Sequence, residues 1–354
     1  MENSIDAGAS KVQVTVSDGG RTLIQVIDDG KGMSEIDARL AFERHATSKI
    51  KSAEDLFSLS TMGFRGEALA SIAAVAQVEL LTKRPDDELG TAVAISGSRL
   101  EQQEPVMVPA GSNFKVKNLF YNIPARRKFL KSNQTEFNNI VTEFERVALI
   151  NCGIEFTLSH NGSEIISLPP SSFRQRIVNL FGKKINQQLV EVEVATPLIS
   201  IKGFVGTPES ARKKGTLQYF FVNGRYMRHP YFHKAIITAY SGLLASEHTP
   251  SYFIYFDVNP QAIDVHIHPT KTEIKFADEQ AIFQILLAAT REALGKFNVA
   301  PSLDFSSANR LEMPTIPMGA VPVNEPRVHV DPSYDPFKAH TSRGSATLGW
   351  EQLY

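Results

Sequence analysis

The stretch that decides the fold of this chain is Thr61-Met62-Gly63-Phe64-Arg65-Gly66-Glu67-Ala68-Leu69. Two glycines bracket a Phe-Arg pair, and an apolar pattern typical of a helix runs from Glu67 to Ala76. Glycine permits backbone geometry in which successive N–H groups turn towards an anion. A helix that begins just after them adds unpaired N–H groups and the positive end of its dipole. The stretch therefore predicts a phosphate cradle, and the alternative is a tight turn before a helix.

A second segment, Asp28-Asp29-Gly30-Lys31-Gly32-Met33, closes a strand pattern at residues 22–27 and precedes a helix that Ser34 can cap. A buried carboxylate at the end of a strand can accept a hydrogen bond from the amino group of adenine. The two glycines would let the backbone approach a flat ring. The alternative is an Asp-Gly turn between a strand and a helix.

A third element lies upstream of both. Residues 2–8 have the pattern of the last turns of a helix that ends near Gly8. The amide oxygen of Asn3 in that helix is a hard ligand suited to a Mg²⁺ ion that also holds phosphates.

Three such elements in this order are typical of the GHKL nucleotide-binding fold. The chain resembles more specifically the MutL family of DNA mismatch repair proteins, over residues 1 to about 298. The matching motifs are Asn3-Ser-Ile-Asp-Ala-Gly-Ala9, Arg44-His-Ala-Thr-Ser-Lys-Ile50, Gly63-Phe-Arg-Gly-Glu-Ala-Leu69, Leu119-Phe-Tyr-Asn-Ile-Pro-Ala-Arg-Arg-Lys-Phe129, Phe221-Val-Asn-Gly-Arg225 and Asp264-Val-His-Ile-His-Pro-Thr-Lys-Thr-Glu273.

The resemblance implies an α/β (α+β) fold in three parts. A GHKL-type ATP-binding α/β sandwich is expected over residues 1–168. A smaller α/β domain, similar to a ribosomal-protein fold, is expected over 172–299, after the Pro169-Pro170-Ser171-Ser172 boundary. Residues 300–354 are rich in Pro, Ser, Gly and Asn and predict a disordered linker.

The resemblance also implies ATP and Mg²⁺ as cofactors, with Asn3 as the metal ligand. Lys271 matches the family lysine that reaches the terminal phosphate, which would couple nucleotide binding to the angle between the domains; the alternative is an exposed lysine beside Glu273. The implied nucleotide-binding residues are Asn3, Asp28, Gly30, Gly32, Met33, Thr47, Ser48, Lys49, Gly63, Phe64, Arg65, Gly66, Glu67, Ala68 and Leu69.

Two features depart from the family. The family's catalytic glutamate stands four residues before the metal-binding Asn, and counting back four residues from Asn3 gives a position before Met1. Glu2 cannot take its place, because neighbouring residues of a helix point about 100° apart. The family's C-terminal dimerisation domain would follow Tyr354. We therefore expect a chain truncated at both ends, whose own ATPase activity is uncertain. The alternatives are a nucleotide- and DNA-binding fragment without turnover, or another GHKL ATPase.

DNA contact must come from local patches, because the formal net charge is −1 at pH 7. Residues 113–132 carry six basic residues and no acidic one. We expect Arg126 and Arg127, at a predicted helix start that disfavours cations, to pair with an internal carboxylate, with DNA phosphate as the alternative. A second cluster is better suited to sequence-independent DNA contact because it flanks turns in the smaller domain, and it comprises Arg225, Arg228, Lys213 and Lys214.

The remaining expectations concern context. No apolar run approaches 18 residues, so we expect a soluble cytoplasmic protein without membrane contact. The resemblance implies a mismatch-recognition partner of the MutS type, and a homodimer formed by a C-terminal domain and by ATP-dependent pairing of the heads. Asp264, His266 and His268 alternate along one predicted strand, but their spacing does not indicate a metal site.

Overall fold

The computed structural model describes residues 1–43, 66–264 and 274–299. Within these ranges the helices are α1 (Glu2–Asp6), α2 (Glu35–Leu40), α3 (Ala68–Ala73), α4 (Pro124–Lys128), α5 (Asn133–Ile150), α6 (Phe173–Phe181), α7 (Pro230–Ala239) and α8 (Glu279–Val299). The strands are β1 (Lys11–Ser17), β2 (Leu23–Asp28), β3 (Gln77–Lys83), β4 (Gly90–Ser96), β5 (Arg99–Val106), β6 (Gly111–Lys117), β7 (Glu155–His160), β8 (Ser163–Leu168), β9 (Leu189–Ala195), β10 (Ser200–Gly206), β11 (Gln218–Val222), β12 (Arg225–Met227), β13 (Tyr252–Asp257), β14 (Ile263–Asp264) and β15 (Lys275–Phe276).

The first sheet has eight strands in the order β5-β4-β3-β6-β2-β1-β7-β8. Its neighbours are antiparallel except β1 and β7, which are parallel. Alternate residues of β1 face inwards, as the pattern of its valines predicts. Helix α5 covers this half of the sheet with Phe144 and Ala148, and α2 and α3 cover the β3–β4 half with Ala38 and Ala73. The sheet is thus an antiparallel layer with helices on one face.

The second sheet has the order β12-β11-β13-β10-β9. Helices α7 and α8 pack on one face, around Phe232 and Leu286. The other face is aromatic and carries Phe221 and Phe253, against which α6 packs with Ile177. The mixed α/β class predicted from the sequence is confirmed.

Helix α5 contacts both sheets. Its Phe144 belongs to the core of the first sheet, whereas Leu149 packs into the aromatic face of the second. Polar contacts reinforce this junction, because the Tyr219 hydroxyl donates a hydrogen bond of 3.0 Å to Glu145. The guanidinium of Arg146 lies 4.3 Å from the centre of the Tyr226 ring. All described residues belong to one compact unit, and the division at residues 168–172 stays a prediction.

Three local predictions differ from the structure. Helix α3 ends at Ala73 rather than Ala76. The helix that Ser34 caps, α2, ends at Leu40, whereas its sequence pattern predicts a helix over residues 34–45; residues 44 and 45 lie outside the described residues. Strand β12 was not predicted, although Asn223-Gly224 is the strongest short hairpin signal. Both residues have positive φ, and the turn pairs β11 with β12. The predicted linker at 300–354 also lies outside the described residues. Across the described ranges, each helix is too short or too polar to span a membrane.

Candidate functional site

Asp28 is the last residue of β2, a strand that lies inside the first sheet between β1 and β6. Its side chain is 7% exposed. One carboxylate oxygen, Oδ1, accepts a hydrogen bond of 3.1 Å from the backbone N–H of Gly30. The other oxygen, Oδ2, has no hydrogen-bond donor among the described residues. A carboxylate oxygen that no described donor bonds, on a residue that is itself largely buried, is suited to accept a hydrogen bond from a ligand.

A second polar group lies beside this carboxylate. The fully buried hydroxyl of Thr82 donates to the Gly111 carbonyl (2.9 Å) and accepts from the Met33 N–H (3.0 Å). It also lies 3.2 Å from the Ser112 hydroxyl, and Ser112 is the register partner of Asp28 on β6. We did not predict Thr82 or Ser112 as site residues. The available signal was a hydroxyl at an inward-facing position of an otherwise apolar strand.

The glycines of this region fix the loop against its surroundings. Gly32 has φ +62°, and a Cβ atom added there would lie 2.0 Å from the Lys83 carbonyl oxygen. At Gly30, a Cβ atom would lie 2.9 Å from Ala7 on the chain that leaves α1. The Lys31 N–H also donates to the Ala7 carbonyl (3.1 Å). These glycines therefore let the Asp28 loop pack closely on β3 and on the chain that leaves α1. Their contact with the adenine ring stays a prediction.

The structure brings the helix of Asn3 to the Asp28 loop through these contacts. Asn3 itself is exposed on α1. On the phosphate side, Gly66 has φ +63° and leads into α3, which begins at Ala68. Glu67 is the N-cap of α3, and Ala68 and Leu69 are its first two residues. Six of the predicted nucleotide residues and the predicted phosphate-sensing lysine lie outside the described residues, and they are Thr47, Ser48, Lys49, Gly63, Phe64, Arg65 and Lys271.

Asp29, the neighbour of Asp28, serves a different purpose. Its carboxylate accepts hydrogen bonds of 2.8 Å from the backbone N–H groups of both Ser10 and Lys11, and it also bonds the Ser10 hydroxyl. Burial disfavours the charged form of Asp29, but these hydrogen bonds outweigh it and lower its pKa. Asp29 therefore ties the start of β1 to the site and stays ionised.

The predicted DNA cations differ in exposure. Arg228 is exposed, and its Nε lies 3.5 Å from the Tyr226 hydroxyl. Lys213 pairs with Glu247 at 3.0 Å, and Lys214 is exposed. Arg225 is only partly exposed: burial lowers the pKa of its guanidinium, and the charges of Glu2 and Asp6 partly offset this. Arg225 thus faces the acidic side of α1.

Arg228 stands at the rim of a surface cleft of about 350 Å³ between α5 and the β11–β12 hairpin. The cleft also presents Arg146, whose side chain is 14% exposed. Its polar lining includes Thr142, Gln218 and Tyr226. Arg146 is already ion-paired with Glu143, so Arg228 and the hydroxyls around the opening are the groups that suit a phosphate oxygen.

The expected pairing of Arg126 and Arg127 with an internal carboxylate is not found within the described residues. Both side chains are exposed. The premise about the helix dipole was wrong as well, because α4 has five residues and places both arginines in its last turn, where cations are favoured. By contrast, Lys115 and Lys117 on β6 pair with Glu79.

Among the described residues, no cluster of His, Cys, Asp and Glu side chains could hold a metal ion. His266, His268 and the side chain of Asp264 lie outside the described residues.

Comparisons with known proteins agree with this arrangement. The family model "Histidine kinase-, DNA gyrase B-, and HSP90-like ATPase" matches residues 1–119, and "DNA mismatch repair protein, C-terminal domain" matches 177–295. The DNA mismatch repair protein MutL of Phocaeicola vulgatus is 61% identical over 100% of this chain and 58% of its own length. That of Bacteroides fragilis is 58% identical, over 57% of its length. The chain thus spans less than two thirds of these relatives.

Solved structures give the same result for the fold. The N-terminal domain of a DNA repair protein superposes with a TM-score of 0.72 at 24% identity, covering 84% of this chain and 93% of that one. The Aquifex aeolicus MutL ATPase domain complexed with ADP gives a TM-score of 0.54 at 26% identity, covering 73% and 88%. Sequence relatives, family models and fold all agree that this chain belongs to the MutL family of DNA mismatch repair proteins.

Proposed function

We propose that this chain forms the nucleotide-operated part of a mismatch repair protein, and that it binds ATP with adenine on Asp28. The observation that carries the proposal is the buried Asp28 carboxylate, whose Oδ2 has no hydrogen-bond donor in the described part of the chain. The Aquifex aeolicus relative whose ATPase domain is complexed with ADP supports a nucleotide as the ligand. The adenine amino group would supply the missing donor.

The same geometry favours adenine over guanine. Guanine presents a carbonyl oxygen where adenine presents its amino group, and that oxygen would face a carboxylate in a buried site. Two acceptors without a proton between them are strongly unfavourable there. The Thr82 hydroxyl fixes Met33 and Gly111 around this acceptor, so the recognition geometry is held before the ligand arrives.

The phosphate side of the proposal rests on fewer described residues. Asn3 is exposed on α1 and offers an amide oxygen to Mg²⁺, whose positive charge would neutralise the phosphates. Gly66 to Leu69 would direct N–H groups at the phosphates from the start of α3. Lys271 and the segment Thr47–Lys49 belong to the proposal through the family resemblance alone.

For DNA, we propose sequence-independent contact centred on Arg228, with Lys213 and Lys214 as outer contacts. Arg228 is exposed beside the cleft, so a phosphate could contact its guanidinium, whereas the Arg146 guanidinium in the same cleft is ion-paired with Glu143. Arg225 is better placed as a link to Glu2 and Asp6 on α1, because it is partly buried and influenced by their charges.

The activity and assembly of the whole protein are proposals that rest on family membership. They comprise ATP hydrolysis, coupling to a mismatch-recognition protein of the MutS type, homodimerisation with ATP-dependent pairing of the heads, and a cytoplasmic location.

Isothermal calorimetry with ATP and Mg²⁺ tests the nucleotide site. Asp28→Ala removes the acceptor for the adenine amino group, and we expect ATP affinity to fall at least about tenfold, the value of one charge-assisted hydrogen bond. Asp29→Asn is the matched control, because its carboxylate faces Ser10 and Lys11. Unchanged affinity in a folded Asp28→Ala protein would contradict the adenine site.

Fluorescence anisotropy with duplex DNA tests the second part. Arg228→Glu should weaken binding to unrelated sequences alike and lower the slope of log affinity against log salt by about one, for one lost phosphate contact. Lys183→Glu, an equal charge change at another exposed site, is the control. Equal salt slopes for the two variants would move the DNA contact away from Arg228.

A further inference from the structure

Helix α4 and the residues after it form a cationic surface that the proposed function does not use. We call it the basic platform, and it comprises Arg126, Arg127, Lys128, Phe129 and Lys131. All five side chains are exposed. The surrounding segment, residues 113–132, contains no Asp or Glu. The platform therefore concentrates positive charge on a chain whose net charge is −1.

Within the described residues, the four cations of the platform form no ion pair. Arg126 does contact an aromatic ring, with its guanidinium 5.9 Å from the centre of Phe120. The carboxylate nearest in sequence, Glu136, accepts a hydrogen bond of 2.8 Å from the Lys131 backbone N–H rather than from a side chain. The side-chain charges are thus available to an anionic partner.

Phe129 sets this platform apart from an ordinary solvated basic surface. Its side chain is 86% exposed, which equals the highest value given for a large apolar side chain in the described part of the chain and leaves most of the ring accessible. Cations on either side of an exposed aromatic ring are the arrangement found in proteins that bind single-stranded nucleic acids, where phosphates contact the cations and a base stacks on the ring.

The platform is held in place at both ends. Before α4, the Phe120 N–H donates to the Val75 carbonyl (2.7 Å), and the Asn122 amide donates to the Ala74 carbonyl (2.9 Å). After α4, the Arg21 guanidinium donates to the Leu130 carbonyl (3.1 Å) and to that of Lys131. A preorganised surface loses less entropy when it binds.

These contacts also join the platform to α3. Ala74 and Val75 follow α3 directly, and α3 begins at the predicted phosphate cradle. The platform therefore stands at one end of a short helix, and the predicted phosphate cradle at the other.

We propose that the basic platform binds single-stranded DNA, with phosphates on Arg126, Arg127 and Lys128 and one unpaired base stacked on Phe129. Duplex DNA fits less well, because its bases are already stacked on each other and present no free face. The site is separate from Arg228, and the proposal depends on the proposed function only in taking DNA as the partner.

The test is fluorescence anisotropy of the whole chain with a labelled oligothymidine and with a duplex of the same length. Phe129→Ala should weaken oligothymidine binding about five- to 100-fold, the range for loss of one stacked base, and leave duplex binding unchanged. Met107→Ala is the matched control, since Met107 is also 86% exposed but lies next to an acidic strand. Folding should be unaffected, because both side chains are exposed.

Charge reversal provides the second measurement. Arg126→Glu combined with Arg127→Glu should lower the salt slope for oligothymidine by about 1.4, from two lost contacts at about 0.7 each. Lys183→Glu combined with Lys184→Glu is the control with the same charge change at exposed positions.

Two results would overturn the proposal. One is oligothymidine binding by both platform variants with the affinity and salt slope of their controls. The other is an effect of charge reversal without an effect of Phe129→Ala, which would make the platform a backbone contact or a protein-docking surface rather than a single-strand site. Neither result bears on Arg228 or Asp28, whose variants are measured with duplex DNA and ATP.

Discussion

Replacing Gly32 by alanine should damage the proposed adenine site through the backbone. Its φ of +62° costs an alanine roughly 1–2 kcal/mol. The new Cβ atom would also lie 2.0 Å from the Lys83 carbonyl oxygen. Lys83 belongs to β3, which is hydrogen-bonded to β4 on one side and β6 on the other, so the loop rather than the strand must move.

Movement of the loop should break the hydrogen bond from Met33 to Thr82, worth about 0.5–1.5 kcal/mol. The total is about 1.5–3.5 kcal/mol, and ATP affinity should fall because the Asp28 loop shifts. Gly8→Ala is the control: φ there is +73°, but the added Cβ atom meets nothing within 4 Å. It should cost only the backbone part, about 1–2 kcal/mol.

Urea unfolding followed by circular dichroism measures both variants, and calorimetry with ATP measures the site. The reasoning is refuted if Gly32→Ala costs no more stability than Gly8→Ala, because the collision with β3 would then contribute nothing.

Three further variants test the surrounding structure. Burial raises the pKa of Glu145 above its usual 4.5. The parent protein should therefore lose stability as the pH rises from 4.5 through that raised pKa. Urea unfolding at several pH values should show a smaller loss of stability for Glu145→Gln. Burial lowers the pKa of His229 below its usual 6.5, and the charge of Glu279 partly opposes this shift. The stability of the parent should therefore fall as the pH drops below 6.5. His229→Asn keeps an N-cap acceptor for α7, and its stability should depend less on pH in this range. Phe144→Ala, at a side chain 1% exposed, should cost about 3–5 kcal/mol of unfolding free energy, whereas the exposed Phe129→Ala should stay within about 0.5 kcal/mol; equal costs would contradict the assigned core.

Much of the fold could be predicted where a local pattern has one physical solution. Val12, Val14 and Val16 alternate because one face of β1 is buried, and Asn161-Gly162 forms the hairpin between β7 and β8. Helix α6 begins after Ser172, which caps it, and ends before Gly182 at φ +93°. These features depend only on residues that are near each other in the sequence.

The site was less predictable because its parts meet only through sheet pairing. Thr82 reaches Gly111 and Ser112 across the β3–β6 pair, from 29 and 30 residues away. The charges that act on Arg225 include those of Glu2 and Asp6 on α1, more than 200 residues away in the sequence. The prediction that Arg126 lies at the unfavourable end of a helix dipole was wrong because the length of α4 could not be foreseen. The helix ends after five residues, so Arg126 lies in its last turn.

Because α5 serves both sheets, the chain should resist being divided at the Pro169–Ser172 boundary. A piece that ends at Leu168 would keep Leu149 and Ile150 but lose the aromatic surface that covers them. The complementary piece would lose Glu145, the acceptor for the Tyr219 hydroxyl. Each half would expose an apolar surface that is buried in the intact chain. Biochemical work on the proposed nucleotide site should therefore use point variants of the intact chain rather than its fragments.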